Sequence, residues 1–285
     1  MNTKTGPYKV IELPAGRRVW INALGLSWPA HSMYGLLEVD VTFARRFIAD
    51  HKARTGETLS FAGFLTFCLA RAVDEDKSIQ AYRKGDKQLI MFDDVNVGLM
   101  VEQKVGEKSA LMGHVILGAN HKTFREIHNE IRKVQSEPVP PGRGMPTWFR
   151  SIMLLPWPLS RLALAILRWN GHRDPTISVA MGGTVALTSV GLFGGDHSGW
   201  GISPTLHPLG LVVGGISLKP AVVEGRIEPR EILNLTVTFD HDIVDGGPAT
   251  RFVKRLVELI ESGYGLSEMD ERSAEPTKEG EVENA

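Results

Sequence analysis

The segment "TFDHDIVDGGPATRF" at 238–252 sets His241 among Asp240, Asp242 and Asp245, followed by Gly246 and Gly247. A histidine at the end of a strand titrates near neutral pH and suits a general base. Asp245, four residues on, can lock the loop by pairing with a base elsewhere. Gly246 permits a backbone bend closed to other residues. The same residues also read as a polar turn, with Asp245 favouring the N-terminus of the next helix. A metal site built from Asp240, His241, Asp242 and Asp245 is not expected. Neighbouring strand residues point to opposite faces, and no second ligand cluster accompanies them.

A second group lies in "ALTSVGLFGGDHSGWGISP" at 186–204, where Thr188 and Ser189 close a strand ahead of a glycine-rich loop. Hydroxyls there can donate to a developing oxyanion, or equally satisfy a turn. Gly191, Gly194 and Gly195 do not make a dinucleotide fingerprint, whose glycines must open a helix after a strand. His197 and His207 read as surface histidines, and Gly85-Asp86-Lys87 as a surface turn. Cys68 sits in the apolar run "FAGFLTFCLARAV" and reads as a small buried hydrophobe.

These groups need elements to hold them. Strand patterns cover 34–43, 89–103, 109–118, 176–191, 209–218 and 232–240. In the last, Leu233, Leu235, Val237 and Phe239 face one way and Asn234, Thr236 and Thr238 the other. Helical patterns cover 44–56, closed by Gly56, then 58–76, then 120–135 with Asn120 as its cap, and 247–262 with Pro248 in its first turn. A proline-rich connector and an arginine-studded apolar stretch form a helical insertion over about 138–175. Its apolar residues must be covered by its own domain or a neighbouring subunit, close as a lid over the site, or rest on a membrane surface.

Composition bounds the function. Lys+Arg total 32 and Asp+Glu 33, so no global field attracts nucleic acid or an acidic membrane. One cysteine rules out an internal disulfide framework and fits a reducing, cytoplasmic setting. The apolar stretch at 148–169 carries Arg150, Arg161 and Arg168 and is broken by Pro156 and Pro158, so no transmembrane segment is expected. One α/β domain over 15–265 is expected, preceded by an arm at 1–14 and followed by a disordered acidic tail from 266 to 285.

Strand, DH-x-x-x-DG turn and helix, in that order, resemble the acyltransferase component of 2-oxo acid dehydrogenase complexes, within the chloramphenicol acetyltransferase-like superfamily. "MYGLLEVDVTFARRFIADHK", "LSFAGFLTFCLARAV", "FDDVNVGLMVE", "LGANHKTFREIHNEIR" and "ALTSVGLFG" resemble that family's segments collinearly over roughly residues 15–263. The resemblance implies a mixed β-sheet flanked by helices, with a site between subunits of a homotrimer. It implies acyl exchange between coenzyme A, as substrate, and a thiol such as dihydrolipoamide, the lipoyl group being held on a separate carrier protein. His241 matches the general base and Thr188 the oxyanion donor, with Ser189 the alternative donor. Asp245 matches a loop-ordering aspartate. Two alternatives stay open: an inactive structural or recruiting subunit of such a complex, or a same-fold acyltransferase acting on a hydroxyl or amine.

Four departures stand out. No lipoyl or subunit-binding domain is present in this sequence, and Asp242 stands where the family has arginine. The insertion replaces a short connector. The "AGRRVWINALGLSW" stretch matches only loosely, with Asn22 in an arginine position and Arg17 or Arg18 left to pair with Asp245.

Overall fold

The computed structural model describes residues 31–105, 108–136, 147–156, 158–190 and 198–271, with Val19, Ile21 and Asn22. The arm, Arg17, Arg18, Gly191, Gly194, Gly195 and His197 lie outside the described residues, as does the tail beyond 271.

The chain opens with β1 (Ser32–Asp40) and α1 (Thr42–Thr55), which ends at Gly56 with φ 78° and its N–H bonded to Lys52 O at 2.9 Å. That left-handed cap is why glycine follows the helix. Next comes α2 (Phe61–Glu75), capped by the Ser60 hydroxyl, which accepts from Gly63 N at 3.0 Å. Its uninterrupted apolar run makes it a core helix, buried from Gly63 through Ala70. Cys68 is fully buried and burial pushes its thiol pKa up, so it stays protonated and inert. A small hairpin, β2 (Tyr82–Lys84) and β3 (Gln88–Ile90), turns at Gly85, as the surface-turn reading expects.

After β4 (Val97–Val105) and β5 (Lys108–Ile116) comes α3 (Phe124–Ser136). Asn120 does not cap α3. It is buried, its side-chain oxygen accepts from Val95 N, and its amide nitrogen donates to Asp74. The cap is a reciprocal box: Glu126 accepts from Thr123 N at 2.7 Å, and Thr123 Oγ1 accepts from Glu126 N at 3.3 Å. Then follow α4 (Thr147–Met153), α5 (Leu159–Arg173), α6 (Thr176–Gly182) and β6 (Val185–Ser189). The strand expected from 176 is therefore helix up to 182. Asp174 accepts from Thr176 N at 3.1 Å to start it, and Gly183, at φ 87°, stops it.

The strands β7 (Leu209–Val223) and β8 (Arg226–Asp240) run well past their sequence-based limits. Glu224 and Gly225, at φ 49° and 78°, form the two-residue turn that a tight hairpin requires. Pro220 opposes Pro229, a pairing possible only where neither N–H is needed by the ladder. Finally come α7 (Gly246–Glu261) and α8 (Glu268–Glu271). Leu266 and Met269 are buried in the core, so the packed chain continues beyond the expected boundary at 266.

The six-stranded sheet has the order β1-β8-β7-β6-β4-β5. Its β7–β6 and β6–β4 pairs are parallel and the rest antiparallel, the mixed sheet expected. The helices α1, α2, α3 and α7 gather on one face over a continuous apolar core. There Glu57 ties three helices together, bonding His51 of α1 and both Arg125 and His128 of α3 beside the start of α2. The hydrogen bond from Arg125 is the largest of several effects that hold the Glu57 carboxyl at about 2. The 198–208 segment crosses the other face, where Trp200 Nε1 donates to Leu37 O at 2.9 Å and Gly215 N to Gly199 O at 3.1 Å.

Candidate active site

The backbone at the end of β8 explains the density of aspartates. Asp240 O accepts from both Ile243 N and Val244 N at 3.0 Å, and Asp240 Oδ1 accepts from Asp242 N at 3.0 Å. One residue thus closes the turn with both main chain and side chain. Burial raises the pKa of its carboxyl. Val244 is buried and pins the turn to the core. His241 N donates to His31 O at 2.8 Å, extending the β1–β8 ladder by one bond.

The His241 ring is left outside this frame, its side chain 48% exposed, with Nδ1 3.9 Å from Asp245 Oδ1. That separation is an ion-pair distance rather than a hydrogen bond. Asp245 itself is 89% exposed and occupies the cap position of α7 without making a capping bond.

One expectation changes here. Gly246 has no left-handed backbone angle, and a β-carbon on it would meet nothing within 4 Å. It is simply the first residue of α7, so the loop does not depend on a glycine there. Asp242 is engaged by two other side chains, with Oδ1 2.8 Å from His31 Nδ1 and Oδ2 2.9 Å from Arg83 Nη1. The His31 hydrogen bond, followed by Arg83, holds its carboxyl below the usual range. The inverted charge is thus taken up by partners that the sequence does not bring near it, on β2 and ahead of β1.

Thr188 and Ser189 end β6, and β6 is anchored at its other end. Thr184 is fully buried, donates to Gln80 Oε1 at 2.6 Å and accepts from Asn96 N at 2.9 Å. The Tyr82 hydroxyl donates to Thr184 O at 3.2 Å, and burial raises that phenol's pKa. β-carbons on Gly98 and Gly183 would collide with the backbones of Gly182 and Asn96. This close approach of α6 to β4 leaves no room for side chains at those positions. His207 belongs to the same region and is not a surface histidine. Half-buried, it donates from Nε2 to Gly182 O at 3.0 Å, and burial lowers its pKa.

Register locates the two groups relative to each other. Thr188 pairs with Val212, Val212 with Thr236, and Thr236 with Leu36, so Thr188 and Thr236 share one face of the sheet. On β8 the alternation expected from sequence holds, but the polar side is buried too. The oxygens of Asn234, Thr236 and Thr238 lie inside without hydrogen-bond partners among the described residues. His241 is five residues beyond Thr236. Two strand spacings across and five residues along amount to about 19 Å between the two backbones. One chain does not bring His241 and Thr188 together. It does bring Asp245 to His241, and it sets Ser189 beside Thr188 on the opposite face. Among the described residues no group of three or more His, Cys, Asp or Glu is placed to hold a metal ion, and no helix is long and apolar enough to cross a membrane.

Comparison with known proteins adds the family. The model of the 2-oxoacid dehydrogenases acyltransferase (catalytic domain) matches residues 5–138 and 174–266, passing over the expected insertion. The dihydrolipoyllysine-residue succinyltransferase component of the 2-oxoglutarate dehydrogenase complex of Bartonella vinsonii subsp. berkhoffii is 28% identical over 233 residues, 79% of this chain and 46% of that protein. The lipoamide acyltransferase component of the branched-chain alpha-keto acid dehydrogenase complex of Bacillus subtilis is 27% identical over 80% of this chain and 46% of its own length. The chain thus spans less than half the length of these relatives.

The cubic core of the pyruvate dehydrogenase multienzyme complex has a similar fold, with a TM-score of 0.65 at 19% identity, covering 93% of this chain and 96% of that one. A probable dihydrolipoamide acetyltransferase from Listeria monocytogenes gives 0.62 at 21%, covering 90% and 95%. The chain belongs to the family of 2-oxoacid dehydrogenase acyltransferase catalytic domains.

Proposed function

We propose that the protein exchanges an acyl group between coenzyme A and a thiol acceptor such as dihydrolipoamide, at a site shared by two copies of the chain in a homotrimer. The observation that carries this reading is the position of His241. It is held by its backbone at the end of β8, with its ring half exposed, inside the stretch that the family model covers.

With Nδ1 turned toward Asp245, Nε2 is left to take the proton of the acceptor thiol. The thiolate sulfur attacks the thioester carbonyl carbon, and the carbonyl oxygen carries the negative charge until the bond to coenzyme A breaks. The departing thiolate recovers the proton from the imidazolium, so no net proton is gained or lost. Thr188 Oγ1 of a neighbouring copy donates to the transient oxyanion, a contribution worth about 3 kcal/mol in comparable sites. Asp245 supports the ring and its loop, either through His241 or through a base of the neighbouring copy.

The test is transfer from acetyl-CoA or succinyl-CoA to dihydrolipoamide by the purified protein. Turnover that disappears in His241→Ala, with fold and oligomer unchanged, supports the mechanism. Turnover unaffected by that change would overturn it. No binding of acyl-CoA would favour an inactive recruiting subunit, and transfer to a hydroxyl or amine but not to dihydrolipoamide would favour the same-fold alternative.

A further inference from the structure

The outward face of α5 is apolar. Leu159, Leu162, Ile166 and Trp169 follow one another at spacings of three, four and three, forming a single stripe on a helix of 3.6 residues per turn. They are 53%, 61%, 51% and 58% exposed. The opposite side of the same helix is where α5 meets its own domain. Ser160 is buried there, and α5 packs on α4, whose Phe149 and Met153 are buried, and on α6 and β2. The helix therefore carries two apolar faces, and the described residues cover only one of them.

Charge is distributed unevenly around the stripe. Between 138 and 173 the chain has Arg143, Arg150, Arg161, Arg168 and Arg173 and no aspartate or glutamate, although the whole protein is balanced at −1. Arg161 and Arg168, seven residues apart, lie on one side of the helix, about 120° and 140° round from the middle of the stripe. Arg173 sits over the Trp169 ring, its guanidinium 4.6 Å from the centroid. The family model skips 139–173, so α5 lies wholly in sequence that the model does not describe.

Whatever covers this stripe must be apolar at its centre and anionic at its margins. A second copy presenting the same face would bring two arginine-rich, acid-free segments together, and a neighbour covering the stripe with another face is an outcome of the test below. The chain's acidic C-terminus, with Glu275, Glu279, Glu281 and Glu283, has the charge but only Val282 as a large apolar residue among them. The interface of an anionic bilayer supplies both properties at once. We propose that α5 docks the protein on an anionic lipid surface, lying in the plane of the headgroups with Leu159, Leu162, Ile166 and Trp169 inserted and Arg161 and Arg173 reaching lipid phosphates.

Flotation of the full chain with vesicles tests this, using phosphatidylcholine alone and phosphatidylcholine with roughly one lipid in three replaced by phosphatidylglycerol. The expected result is at least about tenfold stronger binding to the anionic vesicles, weakening as salt rises. Leu162→Glu with Ile166→Glu should lose that binding by about tenfold or more while thermal unfolding stays unchanged, since both side chains are exposed. If that pair disturbs folding, Trp169→Ala with Arg161→Ala should give the same loss. Equal binding to both vesicle types, no binding to either, or full binding by the stripe variants would overturn the proposal. So would a smaller particle on sedimentation of a stripe variant, which would show that a second copy covers the face.

Discussion

Thr188 and His241 stand in one sheet two strands apart, with Thr188 level with Thr236 and His241 five residues beyond it. The two cannot act on one substrate from within one chain. If they form one site, that site is completed only where two chains meet. The Thr188 hydroxyl and the His241 ring therefore predict complementation. His241→Ala and Thr188→Ala should each be impaired alone, the threonine change by about 100-fold to 1000-fold. Unfolding and refolding the two variants together should restore a measurable fraction of turnover, because some interfaces then combine an intact histidine with an intact threonine. No recovery in mixed oligomers would place both residues' partners within their own chain.

Gly246 begins α7 without a left-handed angle and with open space around it. Gly246→Ala should leave the fold intact and raise stability by up to about 1 kcal/mol, as removing a helical glycine commonly does. Denaturant titration reads the stability, and acyl-transfer turnover should be unchanged. A stable variant with slow turnover would mean that the glycine leaves space for substrate or for a neighbouring copy.

The Glu57 cluster gives a pH dependence with a definite sign. Its carboxyl is held at about 2, below the ordinary 4.5, so its contribution is complete above 4.5 and is lost as pH falls toward 2. His128 acts in the same direction. Burial lowers its pKa from 6.5, so the neutral ring favours the fold above that value and loses its advantage as pH drops. Melting temperature should therefore fall on acidification below about 6.5 and more steeply below 4.5. Glu57→Gln should melt lower than the parent at pH 7, and the gap should close toward pH 2. A gap that stays constant down to pH 2 would remove the carboxylate from the account.

Asp242 joins the turn to His31 and to Arg83 of β2 through partly exposed pairs. Asp242→Asn should cost about 1 kcal/mol or less, as exposed ion pairs do. Thermal melts at low and high salt check this, with the difference between parent and variant shrinking at high salt.

Much of the architecture was legible in the sequence because it depends on short-range pattern. The alternation of Leu233, Leu235, Val237 and Phe239, the apolar run of α2 and the glycine after α1 each select an element locally. The local pattern made His241 and Thr188 candidates beside the reading of a polar turn, and the resemblance to a family, carried by several collinear segments, chose between the two. Failures arose where a competing local signal won. Thr123 with Glu126 capped α3 in place of Asn120, and Asp174 with Gly183 made a helix of 176–182. In both cases a side chain satisfied backbone groups that a propensity reading does not count. Leu266 and Met269 were hidden by the charged residues around them.

Long-range relationships had no local signature. Tertiary structure alone turned Asp242 onto His31 and Arg83, brought Glu57 to His51 and His128, and freed Gly246 of any conformational duty. It alone set Thr188 level with Thr236 instead of His241, because strand order and register arise from packing the whole sheet. The residue types of the site are a property of the sequence. That the two proposed catalytic groups stand about 19 Å apart in one chain is a property of the sheet.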